Sequence, residues 1–185
     1  MAKEDRKNHP PRIVKLAPET AFNGEPAGPP TKLGTKRAIN ITRSTVIRAP
    51  VERCFDLITR QLEETPEWDP TIMWVNPISL KHVRVGSMSR VTFSLDGTRE
   101  EAVAMVRSFQ PNKAILWTSN HSTQLQEEWH LHSEPHGTVV TVTLGYNPTG
   151  WLLGRLTDKL VMRNKVEKGV TEMLDRLRHV AELPR

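Results

Sequence analysis

Apolar residues recur along this chain with two different periods, and the places where the period changes mark its elements. Residues 40–48 (NITRSTVIR) are rich in β-branched side chains, which predicts a strand. Ala49-Pro50 ends it, and Pro50 suits a first helical position, where a missing N–H leaves no bond unmade. Val51, Cys54, Phe55, Ile58 and Leu62 then follow at helical spacing and predict an amphipathic helix in two short pieces. Residues 65–70 (TPEWDP) read as a turn-rich break. Beyond it the period returns to two, with strands predicted at 72–75, 86–95, 98–109, 114–119, 123–132 and 138–146. Asp96-Gly97, between two of them, is the strongest hairpin signal in the chain.

The period changes again at residue 150. Leu152, Leu156, Leu160, Val166, Val170, Met173, Leu174, Leu177 and Ala181 form an apolar stripe over 150–183, and charged residues such as Arg155, Arg163, Glu172, Asp175 and Arg178 face away from it. No proline interrupts the run before Pro184. A stripe that long needs a large apolar partner, and the preceding strands supply one. The order is thus a strand, two short helices, about six antiparallel strands and a long helix. This predicts an α+β fold in which a curved antiparallel sheet of six to seven strands wraps around the C-terminal helix.

Composition changes the picture at the N-terminus. Residues 1–38 hold six of the fourteen prolines and eight Lys/Arg against four Asp/Glu, so they carry +4 of the net charge of +5. Such a segment buries too little to offset its ordering entropy and is expected to be a disordered extension of a domain spanning 39–185. A basic tail touches acidic surfaces weakly through charge alone, and no specific nucleic-acid binding is expected. No apolar run reaches the length of a membrane span, and no apolar segment follows the charged N-terminus as in a secretory signal. A single cysteine allows no internal disulfide, and Cys54 lies on the apolar face of its helix, where an inert packing role is expected. These features fit a cytoplasmic protein.

Several local patterns, in order, resemble one known family over about residues 40–182. Ile47-Arg48-Ala49-Pro50-Val51-Glu52-Arg53-Cys54-Phe55-Asp56 is similar to the opening of the START-like, or SRPBCC, superfamily, which includes polyketide cyclase/dehydrase and lipid-transport proteins. Pro66-Glu67-Trp68-Asp69-Pro70, Val85-Gly86-Ser87, Trp129 ahead of His136-Gly137-Thr138, and Gly150-Trp151-Leu152-Leu153-Gly154 complete the resemblance. It implies a helix-grip fold with an apolar cavity between sheet and long helix. It does not imply a function, because these families hold carriers, sensors, cyclases and accessory proteins alike.

Strand alternation then assigns faces. Leu125, Glu127, Trp129 and Leu131 fall on the core side of one strand, so Glu127 stands among apolar side chains. It is read either as a carboxyl with a raised pKa serving as acid or polar anchor, or as the partner of an Arg or Lys. Phe93, Trp117 and Tyr146 also face inward, and they are candidate walls together with Trp129, with Trp68 at the cavity entrance. Met162, Val166, Val170 and Met173 are the expected lid, with Gly169 leaving space among them.

His130, His132 and His136 lack a completing carboxylate or cysteine at ligand spacing, so no metal is expected. No phosphate-binding glycine loop or nucleophile elbow is present, and no cofactor is expected. The leading expectation is a carrier enclosing one small hydrophobic ligand, such as a lipid, polyketide, isoprenoid or quinone. The alternatives are a polyketide aromatase/cyclase-type enzyme, with Glu127 or Tyr146 moving protons, and a protein-interaction accessory module.

Overall fold

The computed structural model describes residues 38–60, 62–78, 83–95, 98–120, 124–147 and 159–184, with the backbone alone at Leu95, Thr98 and 159–162. The N-terminal extension and residues 150–158, where the long helix was expected to open, lie outside the described residues. Strand β1 (Ile39–Ile47) is followed by α1 (Val51–Thr59), one 3-10 turn (Leu62–Glu64) and α2 (Thr65–Trp68). Then come β2 (Ile72–Pro77), β3 (Met88–Leu95), β4 (Thr98–Gln110), β5 (Ala114–Ser119), β6 (Gln126–Glu134), β7 (Gly137–Tyr146) and α3 (Lys159–Glu182). One expectation changes here: part of the turn-rich break is a helical turn. Pro66 sits in the first turn of α2, where its fixed φ favours the helix and its absent N–H costs nothing.

Among the described residues the seven strands form one antiparallel sheet, in the order β1-β7-β6-β5-β4-β3-β2. The meander is therefore unbroken from β2 to β7, and β1 closes onto its end through pairs from Ile39↔Tyr146 to Ile47↔Thr138. Pairing of β3 with β4 reaches Leu95 and Thr98, the register that the Asp96-Gly97 signal implies. At the β6–β7 hairpin Gly137 has φ +145°, and a Cβ there would lie 2.1 Å from the Ile47 carbonyl oxygen. Only glycine allows that approach of hairpin to β1.

Alternation delivers Val106, Ile115, Trp129, Leu131, Val140 and Val142 to the concave side, all buried. They meet Cys54, Phe55 and Ile58 of α1, and Leu174, Leu177 and Ala181 of α3. Cys54 is fully buried as a free thiol, and burial pushes its pKa up.

The ends of α3 are fastened by charge. Arg53 of α1 donates from Nη2 to the Val180 and Leu183 carbonyls at 3.0 and 2.7 Å, and from Nε to the Ala181 carbonyl. These are carbonyls that a helix C-terminus leaves without intrahelical donors, so one guanidinium both satisfies them and complements the helix dipole. Glu182 accepts a bond from the Arg48 backbone N–H at 2.8 Å. Nearer the other end, Glu167 bridges Arg43 of β1 at 2.8 Å and Arg163 at 2.9 Å. No described helix is long and apolar enough to cross a membrane.

Candidate functional site

The two halves of α3 meet the sheet differently. Leu174, Leu177 and Ala181 close on the core, whereas Val166, Gly169, Val170 and Met173 stand over a cavity of about 320 Å³. Space remains because the sheet beneath is built of small residues in register: Ser89 pairs with Ala104, Ala104 with Ser119, and Val91 with Ala102. All five line the cavity, and a Leu or Ile at any of the Ala or Ser positions would occupy it. Gly169 contributes from the lid, since a Cβ built there would meet nothing within 4 Å. Phe93, Trp117, Leu125 and Leu144 form walls, and Ile58, Leu62 and Trp68 close the side made by α1, the 3-10 turn and α2.

Besides several Ser and Thr hydroxyls, the ionisable side chains on the cavity are Glu127, Asp69, Tyr146 and Lys165. Glu127 of β6 stands directly across from Trp117 of β5 and Leu144 of β7. One carboxylate oxygen accepts a bond from the Trp129 indole N–H, and no Arg or Lys pairs with it among the described residues. Glu127 is partly buried and lines the cavity. Burial, with the negative charge of Asp69 adding to it, pushes the Glu127 pKa from 4.5 up to about 7, against the opposing pull of the Trp129 bond. Near neutrality the group can therefore both give and take a proton.

Asp69 is the functional candidate that strand and helix patterns did not single out. It follows α2 and is buried, with Oδ1 accepting from the Thr71 N–H at 2.9 Å and the Thr71 hydroxyl at 2.7 Å. This is the side-chain-to-backbone turn that Asp favours, and it holds the carboxyl against the cavity. Burial raises its pKa, while its bonds to Thr71 oppose the rise. Tyr146 is 5% exposed and shares its face of β7 with Leu144, diagonal to Glu127. Its hydroxyl has no hydrogen-bond partner among the described residues, and burial raises its pKa.

Of the expected site residues, Trp68, Phe93, Trp117, Glu127, Tyr146, Val166, Val170 and Met173 converge on this cavity. Trp129 does not reach it. Its ring is fully buried, packs edge-on against Trp68 at 5.9 Å, and orients Glu127 through the indole N–H. The side chain of Met162 lies outside the described residues. His130 lies on the opposite face of the sheet, 3.0 Å from a carboxylate oxygen of Glu128.

Comparison with solved structures agrees on the architecture. A START superfamily protein from Mycobacterium smegmatis matches with a TM-score of 0.62 at 14% identity, over 77% of this chain and 97% of that one. Major latex-like protein 151 of Panax ginseng matches with a TM-score of 0.62 at 12% identity, over 80% and 99% of the two chains. The di-domain ARO/CYC StfQ from the steffimycin biosynthetic pathway matches with a TM-score of 0.64 at 12% identity. That match covers 78% of this chain but only 51% of StfQ, half of a two-domain protein. Identities this low speak for the helix-grip fold alone. No curated protein matches the sequence. Residues 38–182, however, match the family described as polyketide cyclase/dehydrase and lipid transport, and the chain belongs to that family.

Proposed function

We propose that this protein encloses one small hydrophobic ligand between its sheet and α3 and acts as the carrier of that ligand. The observation behind this reading is the cavity itself: about 320 Å³, walled by Phe93, Trp117, Leu125 and Leu144, with Glu127, Asp69, Tyr146 and Lys165 as its ionisable groups. That volume lies at the lower end of the range for small-molecule sites, roughly 300–1,000 Å³, and an apolar wall with a few placed polar groups is their usual make-up. A lipid, polyketide, isoprenoid or quinone fits that description. Glu127 and Tyr146 would fix its orientation, and the C-terminal half of α3, packed on the core, would hold the lid in place.

The test is a titration with the neutral, environment-sensitive dye N-phenyl-1-naphthylamine. One equivalent should bind native protein with a rise in dye emission and quenching of tryptophan. Gly169→Phe, whose ring projects from the lid into open space, should weaken binding at least tenfold while the protein stays folded. Wild-type protein that takes up no dye, or a Gly169→Phe variant that binds as wild type does, would overturn the reading. Native mass spectrometry of protein purified from its own host would then name the ligand.

A second reading, a cyclase-type enzyme, draws on Glu127, whose pKa of about 7 suits proton transfer at a carbon flanked by carbonyls. It is separated from the first by Glu127→Gln. An enzyme would lose turnover by roughly 10²-fold or more with ligand affinity retained.

A further inference from the structure

Two carboxyl groups from separate elements, Glu127 of β6 and Asp69 after α2, border one apolar cavity, and neither is in an ion pair among the described residues. The charged groups around them come from α3. Lys165 lines the cavity, and Arg176, which acts weakly on Asp69, is bound to Glu172 at 2.6 Å. No cation is among the groups that set the protonation of Glu127. Three residues of the same walls carry polar atoms with no partner among the described residues, the Tyr146 hydroxyl, the Trp68 indole N–H and the Thr65 hydroxyl, but each atom is itself buried, with almost no surface open to the cavity. Tyr146 is the diagonal neighbour of Glu127, about 7–8 Å away at the backbone and on the same face.

The two carboxyls restrict what can sit beside them. An uncharged polar end such as a hydroxyl or carbonyl oxygen meets no Coulomb repulsion there. A carboxylate would enter beside two carboxyls in a site of low dielectric, whereas Lys165, the cation that also lines the cavity, is an exposed residue whose charge water screens. A like charge about 7 Å away, at an effective dielectric near 20, weakens binding by more than about tenfold. An alkylammonium escapes that repulsion but gives up its strong hydration to enter an apolar cavity.

We propose that Asp69 and Glu127 act as a charge filter, admitting an uncharged amphiphile whose polar end is a hydroxyl or carbonyl oxygen and excluding carboxylate-headed molecules of the same size. This rests on the ligand-binding reading above and narrows it: ketones, quinones, esters and alcohols are ligands, and free fatty acids are not.

The experiment displaces N-phenyl-1-naphthylamine from wild-type protein with three ring-matched competitors: 1-naphthalenemethanol, 1-naphthoate and 1-naphthylmethylammonium. At pH 8 naphthoate should bind at least tenfold more weakly than the alcohol. At pH 5.5, where Glu127 holds its proton and naphthoate is still ionised, the gap should narrow severalfold. In Glu127→Gln it should narrow severalfold at pH 8, with Asp69 keeping its share of the repulsion. Should that variant fail to fold, the pH comparison on wild-type protein decides alone. Equal binding of naphthoate and the alcohol at pH 8, a gap that does not move with pH, or an ammonium that outbinds the alcohol tenfold would overturn the filter. In each of those cases the cavity reading stands. Failure of the dye and all three compounds would overturn both.

Discussion

Replacing Glu127 by Gln keeps the shape of the side chain and removes only its ability to ionise, so stability measured against pH isolates the buried charge. The Gln amide oxygen can still accept the Trp129 N–H bond, and the rest of the cavity is untouched. In the wild type the folded state holds the Glu127 proton more tightly than the unfolded chain does, with a pKa of about 7 against 4.5. The folded state therefore binds more protons across that interval, and stability must fall as pH rises through it. Fully developed above pH 7, the difference amounts to about 3 kcal/mol, an upper value because water in the cavity screens the charge. Below pH 4.5 it vanishes. Glu127→Gln never ionises, so its advantage over wild type should grow by up to about 2.5 kcal/mol between pH 5 and pH 8. At 2–4 °C per kcal/mol for a domain of this size, that is a gain of roughly 5–10 °C in Tm. Asp69, with its own raised pKa, slopes the same way, and Glu167, held low by Arg163 and Arg43, slopes the opposite way. Both are present in the two proteins and largely cancel in the difference. Urea denaturation of each protein at pH 5, 6, 7 and 8 measures it. A gap that stays flat with pH, or a variant that falls behind as pH rises, would show that Glu127 is not an uncompensated carboxyl in an apolar site.

Other outcomes follow from single contacts. Gly137→Ala places a Cβ against the Ile47 carbonyl and should cost more than about 3 kcal/mol in chemical denaturation, so a loss below 1 kcal/mol would contradict the close approach. Arg53→Met removes the donors to three carbonyls at the end of α3 and should cost about 2 kcal/mol. It should also speed hydrogen exchange in the last turn of α3, and unchanged protection there would refute the capping role. Leu177→Ala, at a fully buried site, should cost about 2–5 kcal/mol. Val166→Ala, on the cavity wall, should cost under about 1 kcal/mol, because the atoms removed already border open space. Equal losses from the two substitutions would mean that the cavity is packed solid.

Local periodicity alone determined most of the architecture. Period-two runs named the strands, the 3.6-residue stripe named α3, and hairpin spacing fixed the meander, because pleat, helix pitch and turn chemistry act within a few residues. As helical spacing placed Cys54 in the core, alternation turned Glu127, Trp117, Phe93 and Tyr146 inward. It could not distinguish core from cavity. Trp117 and Trp129 are both inward residues of neighbouring strands, but Trp129 lies where Trp68 covers the sheet and Trp117 where small residues keep it open. That difference is set by side chains from β3, β4, α2 and α3 together, and no window on one strand contains them. Asp69 shows the same limit more sharply. In sequence it is one turn-former among several in TPEWDP, and its charge becomes chemically special only where the fold carries it to Glu127, 58 residues further along the chain. Desolvation and like-charge repulsion act through space, so the paired carboxyls of this cavity exist only in the folded protein.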